Sequence, residues 1–259
     1  MGCITGSMLN VITHGAPTDL PPLLIAHGLY GSARNWGVIA KRLSDERQVI
    51  AVDMRNHGQS PQSERHDYPA MADDLAEVID SLDGVADVAG HSMGGKAAMV
   101  LALTHPQAVR KLVVADIAPV AYSHSQLPYI EAMRGVDLSG ITRRSEAEAQ
   151  LGAQGVEPAL QSFFTQSLDL KAGKWLLNLD ALADQMPQIM GFPEIDAHWP
   201  GVALFLSGAA SDYVRPEHRD EIRRLFPRAR FVKIPGAGHW LHAEKPREFE
   251  AALRGFLNA

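Results

Sequence analysis

The chain has 259 residues, 46% of them hydrophobic and 21% charged, which suits one α/β domain with an insertion and excludes wholesale disorder. A net charge of −6 and the lack of any long basic cluster leave no electrostatic footprint for nucleic acid, and no apolar run approaches the roughly 18 residues of a membrane span. The single cysteine, Cys3, has no intrachain partner, so a reducing, cytoplasmic setting is expected.

Met1-Gly2-Cys3 invites a lipidation reading, but Gly6 stands where the myristoylation pattern wants Ser or Thr. The stretch also lacks a basic region followed by an apolar one, so it does not read as a signal peptide. Gly6-Ser7-Met8 resembles an expression scar ahead of a native start at Met8. Residues 1–7 are therefore expected to be a scar or a disordered N-terminus.

From residue 8 onward, short β-branched runs alternate with helical patterns. Strands are expected over residues 8–13, 23–26, 49–52, 86–89, 111–115, 202–207 and 230–234. Helices are expected over 33–43, 70–82, 93–104, 217–225 and 247–257. Alternation of this kind, with strands apolar throughout, argues a mostly parallel central sheet with helices on both faces. Residues 119–200 hold no convincing strand but carry helical patterns at 127–134, 145–151, 158–165 and 179–190. A connection so long should have elements of its own, so a helical cap over 119–200 is expected, inserted into a core of 8–118 and 201–259.

Gly90-His91-Ser92-Met93-Gly94 lies between an expected strand and an expected helix, the context of the nucleophile elbow. Small residues two before and two after the serine allow a tight turn that exposes Ser92 Oγ. The same stretch also fits G-x-x-x-x-G-K up to Lys96, the phosphate-binding loop, with 112–116 as an apolar strand ending in an acid. Ala97 follows, however, and offers no hydroxyl to a magnesium ion.

A serine hydroxyl needs a base. His239, in the Gly-rich loop after the last expected strand, fits the chain order Ser…Asp/Glu…His. Oxyanion stabilisation needs two N–H donors, for which the Met93 amide and the Leu29 amide in His27-Gly28-Leu29-Tyr30-Gly31 are the candidates. The acid is divided. Gly208-Ala209-Ala210-Ser211-Asp212-Tyr213-Val214 puts Ser211 where G-x-x-D-x-x-V has an acid, and Asp212 stands one residue late. Asp116 ends the preceding strand, where sites gather in this architecture, and is favoured over Asp212.

On these motifs the chain resembles the α/β-hydrolase superfamily over essentially its whole length after Met8. Within it, the chain is similar to the small capped esterases whose elbow reads GHSMGGK and whose oxyanion loop reads HG-L-aromatic-GS. The stretch from Asp53 to Pro61 resembles a segment of that branch as well. The resemblance implies an acid after the sixth strand and a serine in the usual acid slot, hence Asp116. Asp212 beside Ser211 departs from the pattern and keeps the second acid open.

The expected protein is a serine carboxylesterase that hydrolyses small carboxylic esters through an acyl-enzyme, without metal or cofactor. The same fold admits thioesterase, carbon–carbon hydrolase and perhydrolase chemistry, or a non-catalytic ligand receptor. His239 and His242 are spaced like a metal pair but have no third ligand cluster beside them. Tyr30, Tyr122, Phe163, Phe164, Trp175 and Trp240 are candidates to line a substrate pocket, the alternative being plain core packing.

Overall fold

The computed structural model describes residues 8–259; the N-terminal reading of residues 1–7, Cys3 included, lies outside them. In chain order the first half contains β1 (Val11–His14), β2 (Leu23–Ala26), α1 (Gly37–Leu43), β3 (Val49–Val52), α2 (Tyr68–Asp80), β4 (Ala86–His91), α3 (Met93–Thr104) and β5 (Val109–Ala115). An insertion follows with α4 (Leu127–Arg134), α5 (Arg144–Ala153), α6 (Pro158–Thr165), β6 (Leu168–Asp169), β7 (Lys174–Trp175), α7 (Leu179–Asp184) and α8 (Met186–Met190). The chain closes with β8 (Val202–Gly208), α9 (Arg219–Leu225), β9 (Arg228–Ile234), α10 (Leu241–Glu244) and α11 (Pro246–Leu257).

Seven strands form one sheet in the order β1-β3-β2-β4-β5-β8-β9. All neighbours run parallel except β1, which pairs antiparallel with β3. The central strands are buried on both faces, as parallel sheets covered by helices must be. One face packs against α2, α3 and α9 through Met71, Leu75, Met99, Leu101 and Ile222. The other packs against α1 and α11 through Trp36, Ile39, Leu43, Phe249 and Leu253. Helix α3 is buried from Met93 to Leu103, so the element behind the elbow is enclosed by core on every side.

Several boundaries differ from the expectation. β1 starts at Val11 rather than residue 8, and β4 runs two residues further, to His91, because its ladder with β5 continues to His91 opposite Ala115. The helix expected over 33–43 begins as a 3-10 turn, Ala33–Trp36. The pattern over 179–190 is two helices broken at Gln185, with a proline in the first turn of α8 that supplies no N–H to continue α7. Residues 119–200 are not free of strand: β6 and β7 pair antiparallel, each only two residues long. No helix among the described residues is long and apolar enough to cross a membrane.

Candidate active site

Ser92 is the first residue after β4 and the N-cap of α3, held at φ 52°, ψ −119°. Only close packing sustains such a conformation in a residue other than glycine. A Cβ on Gly90 would run into the Gly94 carbonyl, and one on Gly94 into the Ala26 carbonyl. The two glycines are thus what lets α3 start against the sheet, and the turn exposes the serine hydroxyl at the carboxyl end of the strand.

Asp116 occupies the equivalent place after β5, also at positive φ, 51°. His239 lies in the loop between β9 and α10. The structure brings the three together: His239 Nε2 is 3.1 Å from Ser92 Oγ, and His239 Nδ1 is 2.7 Å from Asp116 Oδ2. Asp116 is fully buried. Its Oδ1 accepts the Gly208 N–H at 3.0 Å, and its Oδ2 also accepts the Ser211 hydroxyl. Asp212, the alternative acid, is exposed and has no hydrogen bond to the histidine among the described residues; its backbone carbonyl accepts from Arg215 Nε. The Tyr213 ring stacks on His239 with centroids 4.0 Å apart, and His91 Nε2 donates to the His239 carbonyl at 2.8 Å. His239 is therefore held on its ring face, at its backbone and at Nδ1.

Leu29 and Met93 border the same space as Ser92. Met93 is the first residue of α3, so its amide has no acceptor within the helix. In the opposing turn, Gly31 N–H donates to the Gly28 carbonyl and Tyr30 N–H to His57 Nε2. Among the described residues the Leu29 amide between them has no protein acceptor. Two backbone donors thus flank the serine from different elements, the arrangement that can receive a developing oxyanion.

The cavity above Ser92 measures about 390 Å³. Of the aromatic candidates, Tyr30, Tyr122, Phe163, Phe164 and Trp240 line it. Trp175 does not: it sits in β7, and its indole Nε1 donates to the Met133 carbonyl inside the insertion. The insertion contributes Tyr129, Leu160, Ile189 and Met190 to the wall, so the cavity lies between the sheet domain and these helices.

Lys96, which the phosphate-loop reading would aim at a phosphate, is buried one turn beyond Ser92. Its Nζ donates to the Met190 and Gly191 carbonyls at 3.0 and 2.5 Å and lies 4.8 Å from the Tyr122 ring centre. Burial pushes its pKa down to about 7. Five histidines, His27, His57, His66, His91 and His242, are buried around the site, and burial lowers the pKa of each. Among the described residues no group of three or more His, Cys, Asp or Glu is placed to hold a metal ion.

Sequence reasoning gave no site role to His57, His91 or Tyr213. Their types carry no periodic signal, and their roles depend on contacts between distant segments. Ser211 alone left a trace, as a serine standing in an acid's slot.

The pattern of the alpha/beta hydrolase family matches residues 23–252. Esterase YbfF of Escherichia coli is 41% identical over 241 residues, covering 92% of this chain and 93% of the relative. The sn-1-specific diacylglycerol lipase ABHD11 of Mus musculus is 41% identical over 249 residues, 92% of this chain and 81% of the relative. A solved marine microorganism esterase, 39% identical, superposes with a TM-score of 0.90 over 96% of this chain and 99% of its own. With its elbow, sheet order and these relatives together, the chain belongs to the alpha/beta hydrolase family.

Proposed function

We propose that the protein is a serine carboxylesterase, cofactor-free, with Ser92 as nucleophile, His239 as base and Asp116 as the acid. The observation that carries the reading is the continuous hydrogen-bonded line from Ser92 Oγ through His239 to Asp116, at 3.1 and 2.7 Å. His239 Nε2 takes the Ser92 proton as Oγ attacks the ester carbonyl. Asp116 holds the ring so that Nε2 faces the serine and stabilises the imidazolium that forms. The Leu29 and Met93 amides receive the negative charge on the carbonyl oxygen. His239 then protonates the departing alcohol. Water, deprotonated by the same nitrogen, attacks the acyl-enzyme; His239 returns that proton to Ser92 Oγ as the Oγ–acyl bond breaks and the acid leaves.

Residues 119–200 act in this reading as a cap that excludes bulk water and bounds the acyl or alcohol group. The walls are mostly aromatic and aliphatic, which suits an uncharged acyl chain. The mouse relative is named for a glycerolipid ester, so a diacylglycerol belongs among the trial substrates. A single cysteine in the sequence supports a cytoplasmic setting.

The test is hydrolysis of p-nitrophenyl acetate, butyrate and octanoate, and of a diacylglycerol, by wild type and Ser92→Ala without metal or nucleotide. Turnover that disappears with Ser92 is expected. Turnover that survives the substitution would remove Ser92 from the chemistry.

A further inference from the structure

The direction of an oxyanion-hole amide is a property of its peptide plane. Because the peptide is planar and trans, whatever fixes a carbonyl fixes the following N–H in the opposite direction. The Leu29 N–H shares its plane with the Gly28 carbonyl, which accepts from His27 Nδ1 at 2.7 Å and from the Gly31 N–H at 3.0 Å. The next plane carries the Tyr30 N–H, and this donates to His57 Nε2 at 3.1 Å. Tyr30 itself stands at φ 65°, a conformation that relaxes unless it is held.

His57 is suited to hold it. An N–H donor on Nε2 requires that nitrogen to be unprotonated, which places the ring proton on Nδ1, where the Arg55 carbonyl accepts at 2.8 Å. The ring is 1% exposed and stands edge-on to His27 with centroids 5.0 Å apart. Its segment is anchored in turn. Gly58 N–H donates to the Leu176 carbonyl and Asn178 N–H to the Asn56 carbonyl, tying 56–58 to the insertion, while Ser167 Oγ donates to the Tyr30 carbonyl.

We propose that His57 is a positioning residue for the oxyanion hole: its Nε2, by accepting the Tyr30 N–H, keeps the turn folded so that the Leu29 amide faces the substrate oxygen. The proposal rests on the esterase reading of the site. His57 touches no substrate and acts only through the backbone of the Gly28–Gly31 turn. Burial holds the ring in its neutral form, the only form with an acceptor nitrogen to offer.

Two isosteres separate this role from simple packing. In His57→Asn the side-chain amide nitrogen falls near Nδ1 and keeps the bond to Arg55, but nothing reaches the Tyr30 amide. In His57→Gln the terminal oxygen falls near Nε2 and can accept from it. Both are assayed with p-nitrophenyl butyrate beside wild type and Ser92→Ala. The expected result is a fall in kcat of about 10- to 100-fold for His57→Asn, less than outright loss of an oxyanion donor, with KM within about 2-fold. His57→Gln should recover most of that loss.

Affinity for a trifluoromethyl ketone, whose adduct carries the oxyanion, should fall with kcat in the Asn variant. Equal kcat in wild type and His57→Asn, or equal losses in the Asn and Gln variants, would overturn the proposal while leaving the esterase reading standing. A wild type without Ser92-dependent turnover would overturn both. Imidazole 15N shifts of the wild-type protein test the tautomer even if the Asn variant fails to fold: a ring protonated on Nε2 excludes the role.

Discussion

The Ser211 hydroxyl donates to Asp116 Oδ2, the same oxygen that accepts the His239 Nδ1–H. With the Gly208 N–H on Oδ1, three donors surround a carboxylate that has no solvent exposure. A buried charge needs such partners, and here they also fix which oxygen faces the base. Asp116→Asn should lower kcat on p-nitrophenyl butyrate by about 10³- to 10⁴-fold, because the amide presents a donor or a poorer acceptor to Nδ1 and unsettles the ring's tautomer. Asp212→Asn should change it by less than about 2-fold, the residue being exposed and without a hydrogen bond to His239 among the described residues. The reverse ranking would assign the acid to Asp212.

The closeness of Ser211 to that oxygen also makes the acid movable. Ser211→Asp in the Asp116→Asn background sets a carboxylate within a bond or two of the original position. Recovery of at least about 10-fold in kcat over Asp116→Asn alone is expected, given the 10⁴-fold scale of the acid's effect. Steady-state kinetics of the single and double variants decide it. No recovery would mean that the path from strand β5, and not merely a charge nearby, is what His239 requires.

The buried histidines set an acid limit on stability. His66 and His242 titrate at about 3 in the folded chain because burial disfavours their charged form, against about 6.5 when unfolded. Between those values the unfolded chain binds more protons, so stability rises with pH and is lost progressively as pH falls below about 6.5. His242 stacks on Trp36 with centroids 4.3 Å apart, and its buried Nδ1 has no hydrogen-bond partner among the described residues. His242→Phe keeps the stack and removes the titration. Urea midpoints measured from pH 8 to pH 4 should fall less steeply in the variant; identical slopes would exclude His242 as a contributor.

Phe164 is 1% exposed and meets Tyr30 and Tyr129 with ring centroids 5.3 and 5.4 Å away. Phe164→Ala should cost about 3–5 kcal/mol of unfolding free energy, as large-to-small core changes do. It should also raise the ratio of octanoate to butyrate hydrolysis by lengthening the cavity. Chemical denaturation and the p-nitrophenyl series check the two effects separately, and an unchanged ratio would place the acyl chain against another wall.

The sequence disclosed most where burial was uniform. β2 and β3 lie at the expected residues because Leu23–Ala26 and Val49–Val52 are buried at every position, so the apolar run and the strand coincide. β1 alternates between exposed and half-buried positions at the sheet edge, and its start was misplaced. The ribbon of β6 and β7 is too short for any periodicity, and Trp175 within it read as a pocket residue when its indole is bound inside the insertion. Ser92 and His239 stand out in the sequence because the elbow and the Gly-rich loop are local patterns, and the structure sets the two side chains 3.1 Å apart. The Asp116 assignment needed more: Ser211 lies 95 residues away in sequence, and only the β5–β8 pairing brings the two side chains together.

Ser92 N–H donates to the Ala115 carbonyl at 3.0 Å, and Asp116 N–H to the Leu206 carbonyl at 2.9 Å. Ser92 and Asp116 are thus successive rungs that continue the sheet ladder one step beyond the ends of β4 and β5. The spacing of the two residues is inherited from strand register, and a one-residue slip in either strand would turn its side chain to the opposite face. The insertion between β5 and β8 shares no rung of that ladder. The wall it lends the cavity is therefore set apart from the Ser92–Asp116 spacing, although its bonds to Tyr30 and to 56–58 still tie it to the Gly28–Gly31 turn.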